Sequence, residues 1–378
     1  MNEAGVMEGE LMRADKEKIR VLVVDDSAMM RKLIPGILER DGDIEVVATA
    51  IDGDFALNKI EQLKPDVVTL DLDMPRMDGL TTLRHIISRH ALPVIMLSSL
   101  TYQGAASTMQ ALEIGAVDFV CKPKSISELG EMADELVSKV RAAARTSVLS
   151  FGDEQALFGP KKRCANDSHL RRSSSKILAI GASSGGPNAL RYLLPKIPSD
   201  FDAGILIVQH LPESFTEMLA HWLDEICQLE VKEASAGDHV APGKILIAPA
   251  SSHMKVMRTA SGGQVILERG GLVNGHMPSV DVLFRSVAEQ YGPQATGLIM
   301  TGMGSDGADG LGEIKRAGGH TIAQDKSSSS VFGMPRVAID RGFAQKILPL
   351  TEMPSYLVGV LGSGPKVEEI EGTYATSL

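Results

Sequence analysis

Residues 177–187 read ILAIGASSGGP, an apolar run followed at once by a turn of small residues. A short apolar run closed by glycines is the pattern of a buried strand, and Pro187 suits the first turn of a following helix. Two chemistries use such a turn. A dinucleotide-binding loop needs G-x-G-x-x-G, and Ser183 stands where the second glycine would let the backbone approach a pyrophosphate. A nucleophilic serine needs G-x-S-x-G between strand and helix, which Gly181 to Gly185 supply. The serine is favoured, but a chain with 37 glycines makes five-residue matches cheap. The neighbouring strands must decide.

Downstream, apolar runs recur as GILIVQ (204–209), KILIAP (244–249), GLIMT (297–301) and HTIAQ (320–324), with glycine, proline and serine at their ends. Asn188 to Leu194 has helical character, and Met254 to Leu267, around SGGQ, predicts an antiparallel hairpin. Upstream, Val21–Val24, Ile44–Ala48, Val67–Leu70, Pro93–Leu97 and Phe119–Val120 alternate with segments of helical period. Both series predict α/β domains with parallel sheets and crossover helices. The expected organisation is two doubly wound domains. The first is a five-stranded, flavodoxin-like parallel domain over 19–140, and a linker follows over 141–175. The second, over 176–365, is mostly parallel α/β with an antiparallel hairpin.

A chain of 378 residues is longer than one core usually grows, in accord with two domains. Its 38 basic and 48 acidic side chains leave a net charge of -10, which disfavours nonspecific attraction to nucleic acid or anionic membrane. No apolar run approaches a membrane span, and the polar N-terminus lacks the apolar core of a signal peptide, so the expectation is a cytoplasmic protein without membrane insertion. Cys121, Cys164 and Cys227 are widely spaced, with no CxxC or Cys/His pairing that would indicate zinc. The basic stretch 161–176, KKRCANDSHLRRSSSK, lacks interleaved aromatic residues and reads as solvated linker.

In a parallel sheet, residues just past the strand C-termini gather along one edge, where ligands bind. In the first domain these are Asp25 and Asp26, Asp71, Ser98 and Lys122. Crowded carboxylates repel one another unless a hard cation or a lysine offsets their charge, so the cluster suits Mg²⁺ and phosphoryl chemistry. VLVVDDSAMMR, LDLDMPRMDG, PVIMLSS and DFVCKP resemble the receiver domains of two-component response regulators. That resemblance implies a phosphate on Asp71, donated by a histidine kinase. It implies Mg²⁺ held by Asp25, Asp26, Asp71 and the backbone of Asp73, phosphate sensing by Ser98 and Lys122, and an aromatic switch at Phe119.

The same edge rule applied to the second domain selects Ser183, His210 after GILIVQ, and Asp306 in the loop GMGSDG. A serine hydroxyl needs a base, and a Ser-His-Asp set meets that need. The bland alternatives are a tight-turn serine, a strand-end histidine and an aspartate capping the helix at Ala308. His320 begins its strand and so belongs to the opposite edge. IGASSGGP, VQHLP, GHMPSVDVLF and MTGMGSDGADG resemble the catalytic domain of the chemotaxis protein-glutamate methylesterases, a family that places this domain after a receiver and a linker. The resemblance implies Ser183 as nucleophile, His210 as general base and acid, Asp306 as its orienting carboxylate and the Met303 backbone N–H as an oxyanion donor. His276, Met277 and Pro278 would line or support the site. Ser184 and Ser305 depart from the family's usual threonine and asparagine.

The implied activity is phosphorylation-activated removal of γ-methyl esters from glutamates on the cytoplasmic helices of methylated chemoreceptors, releasing methanol. Deamidation of receptor glutamines would follow the same chemistry. The expected partners are a chemotaxis histidine kinase and those receptors, the expected state is a monomer, and the catalytic domain is expected to need no cofactor. Two readings compete: a response regulator whose second domain only binds, and a serine esterase for small molecules.

Overall fold

The computed structural model describes residues 18–123, 125, 128–145, 175–260 and 262–362. The basic stretch read as linker lies almost wholly outside the described residues. The chain divides into two compact units.

The first unit runs β1 (Ile19–Val24), α1 (Ala28–Leu38), β2 (Ile44–Ala50), α2 (Gly53–Leu63), β3 (Val67–Asp71), α3 (Gly79–His90), β4 (Val94–Ser98), α4 (Tyr102–Ile114), β5 (Asp118–Cys121) and α5 (Leu129–Ala143). Its strands pair in parallel in the order β2-β1-β3-β4-β5. This is the flavodoxin-like order, with its switch point between β1 and β3. Val21 to Val24 and Val94 to Leu97 are fully buried because helices cover the sheet, which is why these strands read as unbroken apolar runs. All five expected strands are present, and α5 extends past residue 140 to Ala143.

The second unit runs β6 (Ile177–Ala182), α6 (Gly186–Leu193), β7 (Gly204–Gln209), α7 (Phe215–Ile226), β8 (Glu230–Glu233), β9 (His239–Val240), β10 (Lys244–Ile247), β11 (His253–Thr259), β12 (Gly262–Glu268), α8 (Val280–Tyr291), β13 (Ala295–Ile299), α9 (Ala308–Arg316), β14 (His320–Gln324), α10 (Met334–Asp340), β15 (Lys346–Leu348) and α11 (Met353–Leu361). Seven strands form a parallel sheet in the order β15-β14-β13-β6-β7-β10-β8. A separate antiparallel sheet, β11-β12-β9, contains the expected hairpin. Its inward side chains Met254, Val256 and Val265 join the core formed with α8 and α9.

Strands β8, β9 and β15 have no counterpart among the expected runs. β8 is EVKE with one buried residue, and β15 is a three-residue edge strand; charged, short edges carry no apolar period to read. The chain leaves β6 towards β7 on one side and returns to β13 on the other. The C-terminal end of β6, where Ser183 sits, is therefore the switch point of this sheet.

Candidate active site

The serine turn is held from beneath by the strands on either side. Ser183 N–H donates to Thr301 O at 3.0 Å, and Thr301 Oγ1 donates to Ser184 O at 2.8 Å. Gln209 Nε2 donates to Ser183 O at 2.8 Å and to His210 O at 3.2 Å, so one buried amide ties the carbonyl of the serine to that of the histidine. The turn's left-handed residue is Gly185, with φ +75°, not the serine. In this respect it differs from the strained nucleophile elbow of the α/β-hydrolases. Gly185 also precedes α6 as its N-cap, so Ser183 lies one turn from a helix N-terminus.

Gly302 approaches the same turn so closely that an added Cβ would lie 2.8 Å from Ser183 Cβ and overlap Met334 Sδ. We expect Gly302→Ala to displace the serine and lower kcat by about 100-fold, since misplacement of order 1 Å costs that much. Steady-state rates at unchanged secondary structure are the check.

His210 follows β7 and its N–H donates to Ala182 O at 3.1 Å, placing it beside Ser183 at the ends of paired strands. His210 Nε2 lies 2.9 Å from Asp306 Oδ2. Its Nδ1 is buried without a hydrogen-bond partner among the described residues. The ring is thus turned the opposite way from the serine-protease template, in which Nδ1 faces the carboxylate. The structure brings histidine and aspartate into a direct bond, and sets the serine next to them without a hydrogen bond from its Oγ to the ring.

Asp306 does not cap α9, whose N-cap is Gly307 with no side-chain bond. Its carboxylate instead meets the start of α8. It accepts from Val280 N–H at 2.7 Å, Asp281 N–H at 3.3 Å, Ser279 Oγ at 2.8 Å and Asn274 Nδ2 at 3.2 Å. Burial alone would raise its pKa, but the His210 bond and charge, Ser279 and Val280 outweigh burial and hold it down to about 2. Asp306 is therefore a fixed anion. The unpaired helix amides of α8 make this possible.

Met303, after β13, is a partly exposed side chain on this edge. Neither its backbone N–H nor that of Ser184 donates to a partner among the described residues. Of the supporting residues, the His276 ring stacks on His210, and Pro278 is buried next to Ser279. His320 lies at the other end of the sheet, where Nε2 meets Tyr356 Oη at 2.8 Å. Gln209, Thr301, Ser279 and the Ser184 amide join the site only in the folded chain. Gln209 and Thr301 carry a sequence signal, their places at the ends of the runs GILIVQ and GLIMT, and Ser279 lies within the motif GHMPSVDVLF.

In the first unit, Asp25 and Asp71 are buried and Asp26 is exposed, with one oxygen from each within 4.8 Å of the others. Lys122 Nζ lies 2.9 Å from Asp25 Oδ2 and 2.8 Å from Asp71 Oδ2. Burial pushes the Asp71 carboxyl up to about 6 despite the pull of Lys122. Burial opposes the lysine's charge too, yet the two carboxylates raise its pKa. The Asp73 N–H points at Asp71 Oδ1 from 3.5 Å. Ser98 and Phe119 are buried at the ends of β4 and in β5. Three carboxylates converging on one point form a donor set suited to a hard divalent cation.

Two stretches of the chain match known family models. Residues 178–357 match the model of the CheB methylesterase, and residues 21–134 match that of the response regulator receiver domain. A protein-glutamate methylesterase/protein-glutamine glutaminase of Koribacter versatilis is 51% identical over 90% of this chain and 95% of its own. Another protein of that name, from Symbiobacterium thermophilum, is 46% identical over 92% of this chain and 98% of its own. The crystal structure of the Thermotoga maritima CheB methylesterase catalytic domain is 39% identical, covering 50% of this chain and all of that one, with a TM-score of 0.49. With half its residues shared over nearly its full length, the chain belongs to the CheB methylesterase family of receiver-linked hydrolases.

Proposed function

We propose that this protein is a phosphorylation-activated methylesterase that hydrolyses γ-methyl esters of glutamate on the cytoplasmic helices of chemoreceptors, and that it deamidates receptor glutamines by the same route. The observation that carries the reading is the buried Asp306 locked onto His210 beside Ser183 at the switch point of the sheet. A binding-only output domain has no use for a carboxylate ionised in its interior and bound to a histidine.

Ser183 Oγ attacks the ester carbonyl and passes its proton to His210 Nδ1, the ring nitrogen that Asp306 leaves free. The charge on the carbonyl oxygen falls to the Ser184 and Met303 amides, while Asp306 stabilises the imidazolium through Nε2–H. The proton returns from Nδ1 to the methoxide, methanol leaves, and a γ-glutamyl ester of Ser183 remains. Water, deprotonated by Nδ1, attacks that ester and frees the glutamate carboxylate and the serine. For a glutamine the leaving group is ammonia.

In the receiver, Asp71 is the phosphoryl acceptor and a histidine kinase the donor. Asp25, Asp26, Asp71 and the backbone of Asp73 would hold Mg²⁺, whose charge would offset that of the transferred phosphoryl group. Lys122 and Ser98 then meet the phosphate oxygens, and Phe119 responds as the aromatic switch.

The test is methanol release from methyl-labelled receptor membranes by the full chain, with and without Mg²⁺ and acetyl phosphate. Release that rises with the phosphodonor is expected; none from the phosphorylated chain would overturn the reading. In Asp71→Asn we expect no phosphoryl incorporation and no rise, with the unstimulated rate retained.

A further inference from the structure

The His210 imidazole is contacted along its edge and over its face. At the edge, Nε2 meets Asp306 Oδ2 at 2.9 Å. Over the face lies the ring of His276, with centroids 3.8 Å apart and planes within 11°. Among the described residues Nδ1 has no hydrogen-bond partner, so the bond to Asp306 is the ring's polar anchor and the stack lies across its face.

His276 is itself delivered with little freedom. Asn274 and Gly275 have φ of +52° and +79°, the left-handed pair of a tight Asn-Gly hairpin turn. Val273 and His276 close that turn with two 3.0 Å backbone hydrogen bonds. The Asn274 side-chain amide spans Asp281 Oδ2, at 2.6 Å, and Asp306 Oδ1, at 3.2 Å. The turn that carries the second histidine is therefore anchored to the carboxylate that binds the first.

We propose that His276 is a positioning residue for ester and amide hydrolysis, its ring stacked on His210 so as to hold Nδ1 towards the serine and face the imidazolium formed at each proton transfer. The proposal rests on the methylesterase reading above. An aromatic face is attracted to a cation stacked on it, whereas a second imidazolium would repel it. Burial and the neighbouring His210 push the His276 pKa down to about 4, against the pull of Asp306, so the ring is neutral near pH 7. His210 and Asp306 are the titratable groups that act on it.

The test compares His276→Ala and His276→Phe in the phosphorylated full chain. We expect His276→Ala to lower kcat for methanol release by about tenfold with KM within about twofold, and His276→Phe to recover kcat to within about threefold. Histidine ¹⁵N spectra supply a readout independent of substrate, with the His210 signals assigned by their loss in His210→Gln. In the wild type and His276→Phe, His210 should hold its proton on Nε2 alone, and in His276→Ala the two tautomers should mix. If His276→Ala does not fold, His276→Leu, of similar bulk without a π-face, takes its place.

Wild-type kcat in the alanine or leucine variant, or a phenylalanine variant as slow as either, would overturn the proposal. A wild-type chain with the expected spectra but no methanol release would remove the methylesterase reading and leave the stacking role standing.

Discussion

With Ser183 replaced by alanine, methanol release from methylated receptors is expected to fall by about 10⁶-fold, the loss typical when a nucleophile that works as one unit with its base is removed. The variant still has the Ser184 and Met303 amides, so a trace of hydrolysis above the uncatalysed rate should persist. The fold should not change. Ser183 is held through its backbone, by Thr301 O, Gly186 N–H and Gln209 Nε2, and its Oγ has no hydrogen bond among the described residues. Initial rates of methanol release, beside a thermal melt that matches the wild type, decide the matter. An alanine variant within tenfold of the wild-type rate would show that the turn at 181–187 is not the reacting centre.

Asp306→Asn is expected to cost about 10⁴-fold in kcat and, unlike the serine change, to destabilise the second unit as well. Both oxygens of Asp306 are occupied as acceptors, Oδ2 from His210 and Val280, Oδ1 from Asn274, Ser279 and Asp281. Asparagine must present an amide donor to one of these sets, leaving buried donors opposed to one another. If the amide turns towards His210, it favours the tautomer with the proton on Nδ1, the nitrogen that must accept the serine's proton.

The stability loss should depend on pH. The Asp306 pKa of about 2 in the fold lies below the 3.8 of a free carboxyl, so acid protonates the unfolded chain first. Its contribution, about 2 kcal/mol, is complete above pH ~5 and is lost as pH falls through about 2. The denaturant midpoint can be followed by the fluorescence of Trp222, the chain's single tryptophan, on α7 of this unit. The gap between wild type and Asp306→Asn should be widest at neutral pH and narrow below pH 4.

Much of this arrangement was legible in the chain before its structure. Core strands such as ILAI, GILIVQ and VLVV are buried on both faces, so they appear as unbroken apolar runs. His210, Asp25 and Asp71 directly follow such runs, and Ser183 stands in the G-x-S-x-G turn that follows another. Asp306 lies in the loop GMGSDG beyond GLIMT, and it caps not the helix next in sequence, as local order suggests, but a more distant one. The helix it meets, α8, begins 26 residues upstream at Val280. Strands β8 and β15 escaped for a different reason, since at a sheet edge charge replaces the apolar period.

The order of residues along the chain thus determined the two α/β domains, the polar edge of each sheet and which acids, hydroxyls and imidazole stand on those edges, because burial of a parallel sheet writes itself as local hydrophobic pattern. It did not determine which ring nitrogen of His210 is free, that Gln209 joins the serine and histidine carbonyls, or that His276 covers the imidazole. Those features depend on loops from β7, β13 and the Asn274–Gly275 turn meeting in space. Contacts of that kind are decided only when the core has packed, by hydrogen-bond directions and ring planes that leave no periodic trace in a sequence.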